Sequence, residues 1–275
     1  ENGGHGIALP AGLREAQGTY YKVVDSDDWL DAAALSTMLS LLRGFEERDM
    51  RVDLFISNYV YEKVYEGKHV TISYHGALPR KKVFTWDKIG YFRPDQNLLM
   101  HSLCYRVDVL REANLPLPAH TFYVDNIYAY VPLPHCKTMY YADIDLYRYF
   151  IGREGQSVNE ATMIRRLDQQ FRITRIMMNA YHLYTDVKEP RLASYMMGYF
   201  TMMMSVCSIF SKLSEEDRWK EESKRLWAEL KEYDERMYRH ARCGILGIGT
   251  NLPTKAGEKA SIGLYRAASK IFKFN

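Results

Sequence analysis

Three carboxylates within four positions, Asp25, Asp27 and Asp28, are the densest set of chemically useful groups in this sequence. They close a short β-favouring run, residues 20–24, and stand just ahead of a helix-forming segment that starts at about Ala32. Hard divalent cations prefer oxygen donors, and Mg²⁺ or Mn²⁺ commonly bridges one or two protein carboxylates to a substrate diphosphate. An acidic turn at the carboxyl end of a strand, where ligands of open α/β sheets sit, can therefore hold a nucleotide's phosphates despite its own charge. The plainer alternative is that Asp28 or Asp31 caps the following helix, since aspartate satisfies free first-turn amides and suits the positive end of the dipole. Capping accounts for one aspartate and not for three. On the pattern alone, both readings stay open.

The elements that must position this turn follow from periodicity. Residues 32–47 carry apolar side chains at 35, 38, 39, 41, 42 and 45, a helical spacing. Residues 53–61 and 70–74 read as strands, with Glu66-Gly67-Lys68 as the turn signal between them. Residues 97–106 read as a buried strand, followed by a short helix to Asn114 and a proline-marked loop, 115–118. His101 in that apolar strand could face a site, but a lone histidine there is more often a hydrogen-bonded core residue, which is the expectation. Another strand is expected at 137–141.

Length and composition fit a folded protein of one large or two smaller domains: 275 residues, 47% hydrophobic and 26% charged. A net charge of +3, with no arginine-rich stripe among stacking aromatics, argues against nucleic acid as a partner. The cysteines, at 104, 136, 207 and 243, have no CxxC spacing, so neither a structural zinc site nor a disulfide framework is expected. The opening residues are polar and glycine-rich without a signal-peptide pattern, and a cytoplasmic location is the expectation.

Asn2-Gly3-Gly4-His5-Gly6, then Ala16-Gln17-Gly18-Thr19-Tyr20, then Val23-Val24-Asp25-Ser26-Asp27-Asp28-Trp29 resemble the central part of the nucleotide-binding domain of family 2 glycosyltransferases. The fold of that family is GT-A. The resemblance implies a nucleotide-sugar donor, UDP-linked, with Asp25 on the ribose or metal and Asp27 and Asp28 holding Mn²⁺ or Mg²⁺. It begins within the family's nucleotide domain, so it also implies a fragment, with on the order of 80 residues of strand and helix preceding residue 1. Residues 7–12 depart from the family, which usually has a basic or Asn-containing helix start there.

Two further stretches take their roles from the same resemblance. In His120-Thr121-Phe122-Tyr123-Val124-Asp125-Asn126, Asp125 matches the second member of the family's acidic pair and is the implied catalytic base; Val124 stands in place of the first. Displacement at an anomeric carbon passes through an oxocarbenium-like state, and the attacking hydroxyl must lose its proton to a carboxylate. The spacing equally permits Asp125 to be a cap on a helix over 126–130. Residues 145–157 are similar to a flexible flap near the diphosphate, in which Arg148 and Arg153 would neutralise the leaving group. A surface arginine paired with Glu154 is the alternative.

From about residue 159 the pattern is helical to the end. Residues 161–183 are amphipathic. Residues 192–211 carry no charge, but their Met, Ser, Thr, Tyr and Gly content is weakly apolar, which favours a buried helix over a membrane span. Its methionines also suit a partner interface, a second copy of the chain included. Ser214-Glu215-Glu216-Asp217 opens a further helix with a stripe of Trp219, Leu226, Trp227, Leu230, Tyr233 and Met237. The basic segment 254–275 either docks on this bundle or rests on an anionic membrane surface.

The expectation is therefore an α/β, GT-A type domain with an incomplete Rossmann-like mixed sheet over residues 1–158 and an α-helical domain over 159–275. Its function would be inverting sugar transfer to a glycan or lipid-linked acceptor in cell-surface polysaccharide synthesis, peripheral to the membrane. A non-catalytic interaction protein on a glycosyltransferase-derived scaffold is the alternative. A metal-dependent phosphodiester hydrolase would want more clustered ligands than the sequence places together.

Overall fold

A computed structural model describes residues 4–152 and 159–272. The chain divides into two units, 1–154 and 155–275. In the first, the elements run α1 (His5–Glu15), β1 (Tyr20–Tyr21), β2 (Trp29–Leu30), α2 (Ala32–Glu47), β3 (Leu54–Lys63), β4 (Lys68–Ile72), β5 (Val83–Phe84), β6 (Leu103–Arg106), α3 (Val107–Ala113), α4 (Asp125–Tyr130) and β7 (Met139–Phe150). The strands form one mixed sheet of order β1-β6-β3-β7-β2, with β4 added to β3 and β5 to β7. β3 and β7 run parallel at its centre, and β6, β1 and β2 join antiparallel to their neighbours.

The first seven residues of β3 are buried without alternation, as a strand covered on both faces requires. One cover is α2, whose Met38, Leu42 and Phe45 pack with Phe55, Cys104 and Leu146. Each such side chain contributes roughly 1.5–3 kcal/mol on burial. Asp53, 1% exposed, ties the heads of the two central strands together by accepting from the Lys137 amide at 2.7 Å and the Thr138 amide at 3.0 Å. The β3–β7 register shifts on either side of Asn58, whose amide donates to Asp143 at 3.0 Å and Asp145 at 2.9 Å across the irregularity.

Several expected elements form as read, and others differ for identifiable reasons. Asp31, not Asp28, caps α2, accepting from the Ala34 amide at 3.0 Å. The strand expected over 20–24 stops at Tyr21, because the Lys22 ammonium then takes the carbonyls of His101 and Leu103 in place of ladder bonds. The strand expected over 97–106 begins at Leu103, behind a 3₁₀ turn, Met100–Ser102, closed by Ser102 on the Leu99 carbonyl. Residues 145–150, expected in a flap, are the last half of β7, held between β3 and β2 with Leu146 and Tyr147 fully buried.

The second unit comprises α5 (Glu160–Arg165), α6 (Leu167–Ala180), α7 (Pro190–Leu213), α8 (Asp217–Tyr233), α9 (Glu235–Cys243), α10 (Ile245–Thr250) and α11 (Thr254–Phe272). α7 is long and apolar enough to cross a membrane by length and composition, yet 78% of that window is buried inside the protein. Thr201 bonds the Met197 carbonyl at 2.8 Å and Ser208 accepts from the Trp227 indole at 2.9 Å, while the buried Ser205 hydroxyl has no partner among the described residues. Arg175 of α6 reaches α8 through Glu222 and Glu229 at 2.7 and 2.6 Å.

Candidate functional site

The acidic turn is fixed by β7. The Tyr147 hydroxyl accepts from the Asp25 amide at 3.1 Å and donates to Asp28 Oδ2 at 2.7 Å, while the Phe150 amide donates to Asp28 Oδ1 at 2.9 Å. The turn closes on itself through the Asp28 amide and the Asp25 carbonyl, 3.1 Å. Asp25 and Asp28 are half-buried, and Asp27 is exposed. Burial pushes the Asp28 carboxyl up to about 6, against the hydrogen bonds from Tyr147 and Phe150, and it also raises Asp25.

His101 completes this group. Its ring is stacked on Tyr147 with centroids 4.7 Å apart and packed on Tyr149 at 4.4 Å. One ligand atom from each of Asp25, Asp28 and His101 falls within 4.8 Å of the others. Burial, then the nearby Lys22 and His5 charges, hold the imidazole down to about 3, so it is neutral at physiological pH. Its Nδ1 is buried without a hydrogen-bond partner among the described residues. Lys22 lies beneath, its ammonium 4.9 Å from the centre of the Tyr147 ring and pushed down to about 8 by burial.

Asp125, the first residue of α4, belongs to the same neighbourhood. Burial raises it to about 6; the positive field of His5 opposes the rise and the charge of Asp25 adds to it. His5 Nε2 lies 3.6 Å from Asp25 Oδ1. The His5 ring gets there because α1 presses against the loop ahead of Asp125: a Cβ on Gly6 would sit 2.0 Å from the Pro118 carbonyl oxygen, so only glycine permits that approach. Tyr149 also feels Asp125, Asp28 and Asp25, though burial is the main cause that raises its hydroxyl.

The site thus unites Asp25, Asp28 and Asp125 of the sequence candidates and leaves Asp27 outside the ligand group. Arg148 projects from β7 to Glu62 at 3.0 Å and Asp31 at 3.3 Å, so two carboxylates already offset its charge. Arg153 lies outside the described residues. His101, expected as a hydrogen-bonded core residue, is buried but leaves Nδ1 without a partner among the described residues and joins the site, whereas His5, Lys22, Tyr147 and Tyr149 had no sequence signal as a site, because each is brought in by contacts between distant segments.

Two carboxylates and a neutral imidazole are a reasonable donor set for a divalent cation. Each Asp28 oxygen accepts one hydrogen bond and retains a lone pair, and the orphaned Nδ1 shows that the His101 ring lacks its full complement of partners. The nitrogen favours Mn²⁺ over Mg²⁺, which demands an oxygen shell. Comparison with protein-family models and with curated proteins returns no match.

Proposed function

We propose that this chain is part of a metal-dependent, inverting glycosyltransferase of GT-A type that moves a sugar from a UDP-linked donor to a glycan or lipid-linked acceptor in cell-surface polysaccharide synthesis, on the cytoplasmic side. The observation that carries this reading is the meeting of Asp25, Asp28 and Asp125, from distant segments, in one partly buried site with His101. In it, Asp125 is the base. A carboxylate raised to about 6 is ionised at neutral pH and still basic enough to take a hydroxyl proton. The acceptor oxygen bonds to the anomeric carbon, the bond to the diphosphate breaks with its electron pair leaving on the nucleotide, and the hydroxyl proton ends on Asp125. Attack from the face opposite the diphosphate inverts the centre.

Asp25, Asp28 and His101 would hold Mn²⁺, which when bound supplies Lewis-acid charge to the departing diphosphate. Tyr147 holds the two aspartates at fixed spacing, and Lys22 offsets part of their charge from below. Electron paramagnetic resonance of Mn²⁺ titrated with the chain tests the reading. Uptake is expected, tightened by UDP and weakened on the order of tenfold or more by Asp25→Asn or Asp28→Asn. Asp125→Asn is expected to keep that uptake and to lose sugar transfer, read as released UDP. A wild-type chain that takes up no Mn²⁺ with or without UDP, or full transfer by Asp125→Asn, would sink the proposal.

A further inference from the structure

Helix α10, Ile-Leu-Gly-Ile-Gly-Thr, is packed inside out. Its buried residue is Gly247, set so tightly on the end of α9 that a Cβ would lie 1.9 Å from the Ala241 carbonyl oxygen. Its large apolar residues point to solvent: Ile245 is 92% exposed, Ile248 50% and Leu246 48%. Arg242 fixes this orientation by bonding the carbonyls of Gly247 at 3.5 Å and Asn251 at 3.3 Å, and the Asn251 amide adds a bond to Gly247 at 2.9 Å. Leu264 of α11, 57% exposed, lies beside Gly249 and extends the apolar patch. A helix in a water-surrounded bundle ordinarily turns its small residues out and its isoleucines in.

α11 supplies the matching charge. Its outward positions 255, 256, 259, 260, 263, 264, 266 and 267 include Lys255, Lys259 and Arg266 and no carboxylate. By helical spacing, Leu264 lies on the edge next to α10 and the cations on the far edge, with Ala256, Ala260, Gly263 and Ala267 between. Glu258 is turned inward, paired with Lys220 at 2.9 Å. Large exposed apolar side chains beside an unopposed basic strip fit one surface, the headgroup boundary of an anionic bilayer. With six residues, α10 enters that boundary without spanning it.

We propose that α10 and α11 form a membrane-contact face, in which Ile245, Leu246 and Ile248 insert among the acyl chains and Lys255, Lys259 and Arg266 rest on anionic headgroups. The proposal does not depend on the transferase reading: Mn²⁺ uptake and vesicle binding succeed or fail separately. The test is cosedimentation of the whole chain with vesicles of phosphatidylcholine alone or mixed with phosphatidylglycerol. The chain is expected to pellet with the mixed vesicles, less so at high salt, and weakly with phosphatidylcholine. Ile245→Asp with Ile248→Asp, and separately Lys259→Glu with Arg266→Glu, are expected to lower binding about tenfold or more with the circular dichroism spectrum unchanged. Wild-type chain left in the supernatant with anionic vesicles at low salt, or equal pelleting by the aspartate variant, overturns the proposal. A dimer that the aspartate variant dissolves, without vesicle binding, overturns it in favour of a second copy of the chain.

Discussion

The hydroxyl of Tyr147 donates to the carboxylate of Asp28 across 2.7 Å, joining the central strand β7 to the acidic turn. The same oxygen receives the Asp25 amide, so one side chain sets the spacing of both aspartates. Tyr147→Phe removes both bonds and leaves the ring packing intact. It is expected to cost about 1–3 kcal/mol of stability in urea unfolding, and to weaken Mn²⁺ uptake without abolishing it.

His101 gives the site a pH dependence of definite sign. Its folded-state value of about 3 lies below its ordinary 6.5, so the unfolded chain takes up a proton that the folded chain refuses over that interval. Its contribution to stability is therefore complete above about pH 6.5 and is lost as the pH falls toward 3, at up to about 1.4 kcal/mol per pH unit. The raised carboxyls of Asp28 and Asp125 act oppositely: they bind protons more readily when folded, so their ionisation lowers stability as pH rises from about 4 through 6. The difference in urea midpoint between wild type and His101→Phe isolates the histidine. That difference should move in favour of the variant on acidification from about pH 7 to 4 and stay constant above 7.

Gly6→Ala tests how α1 is seated. The added methyl meets the Pro118 carbonyl at 2.0 Å, a backbone atom that cannot step aside. Expected are a loss of about 1–3 kcal/mol and a displacement of His5 from Asp25, seen as shifted His5 ring resonances in proton NMR. An alanine variant with unchanged melting temperature and unchanged His5 ring resonances would contradict the packing described.

Asp53 is buried and accepts from the two amides just ahead of β7, those of Lys137 and Thr138, as well as from Arg51 at 2.6 Å. Asp53→Ala leaves these donors unmatched and is expected to cost about 3 kcal/mol, whereas exposed Arg51→Ala should cost no more than about 1. Urea denaturation of the two variants distinguishes a buried keystone from a surface ion pair.

Much of the scaffold was legible because burial follows a period: α2, β3, β4 and the helical second unit stand close to where apolar spacing put them. The Asp31 cap was legible for the same local reason. What escaped were contacts between segments. His101 looked like an ordinary core histidine because neither Asp25 nor Lys22 is near it in sequence, and the pairing of β6 with β1 and β3 is what brings them together. Arg148 read as part of a flap because the family resemblance put it there, and Leu146 and Tyr147, adjacent and both buried, give no apolar–polar alternation that would mark a strand. α10 would have been read backwards from composition alone, since only the close approach of Gly247 to α9 reveals which side faces in.

The register shift at Asn58 carries a consequence for side-chain parity. The partner of Leu54 is Met139 and that of Tyr59 is Tyr147, so β7 has slipped ahead of β3 by three residues between those pairs. An odd slip means that one strand changes face relative to the other, and that strand is β3: Phe55 packs toward α2 whereas Tyr59 packs on His101. β7 alternates without interruption, with Tyr140, Ala142, Ile144 and Leu146 toward α2 and Tyr147 and Tyr149 on the opposite face against His101. Deleting any one residue from 143–145 would break that alternation and turn both rings to the opposite face of the sheet, dismantling the aromatic bed under the aspartates without altering a single member of it.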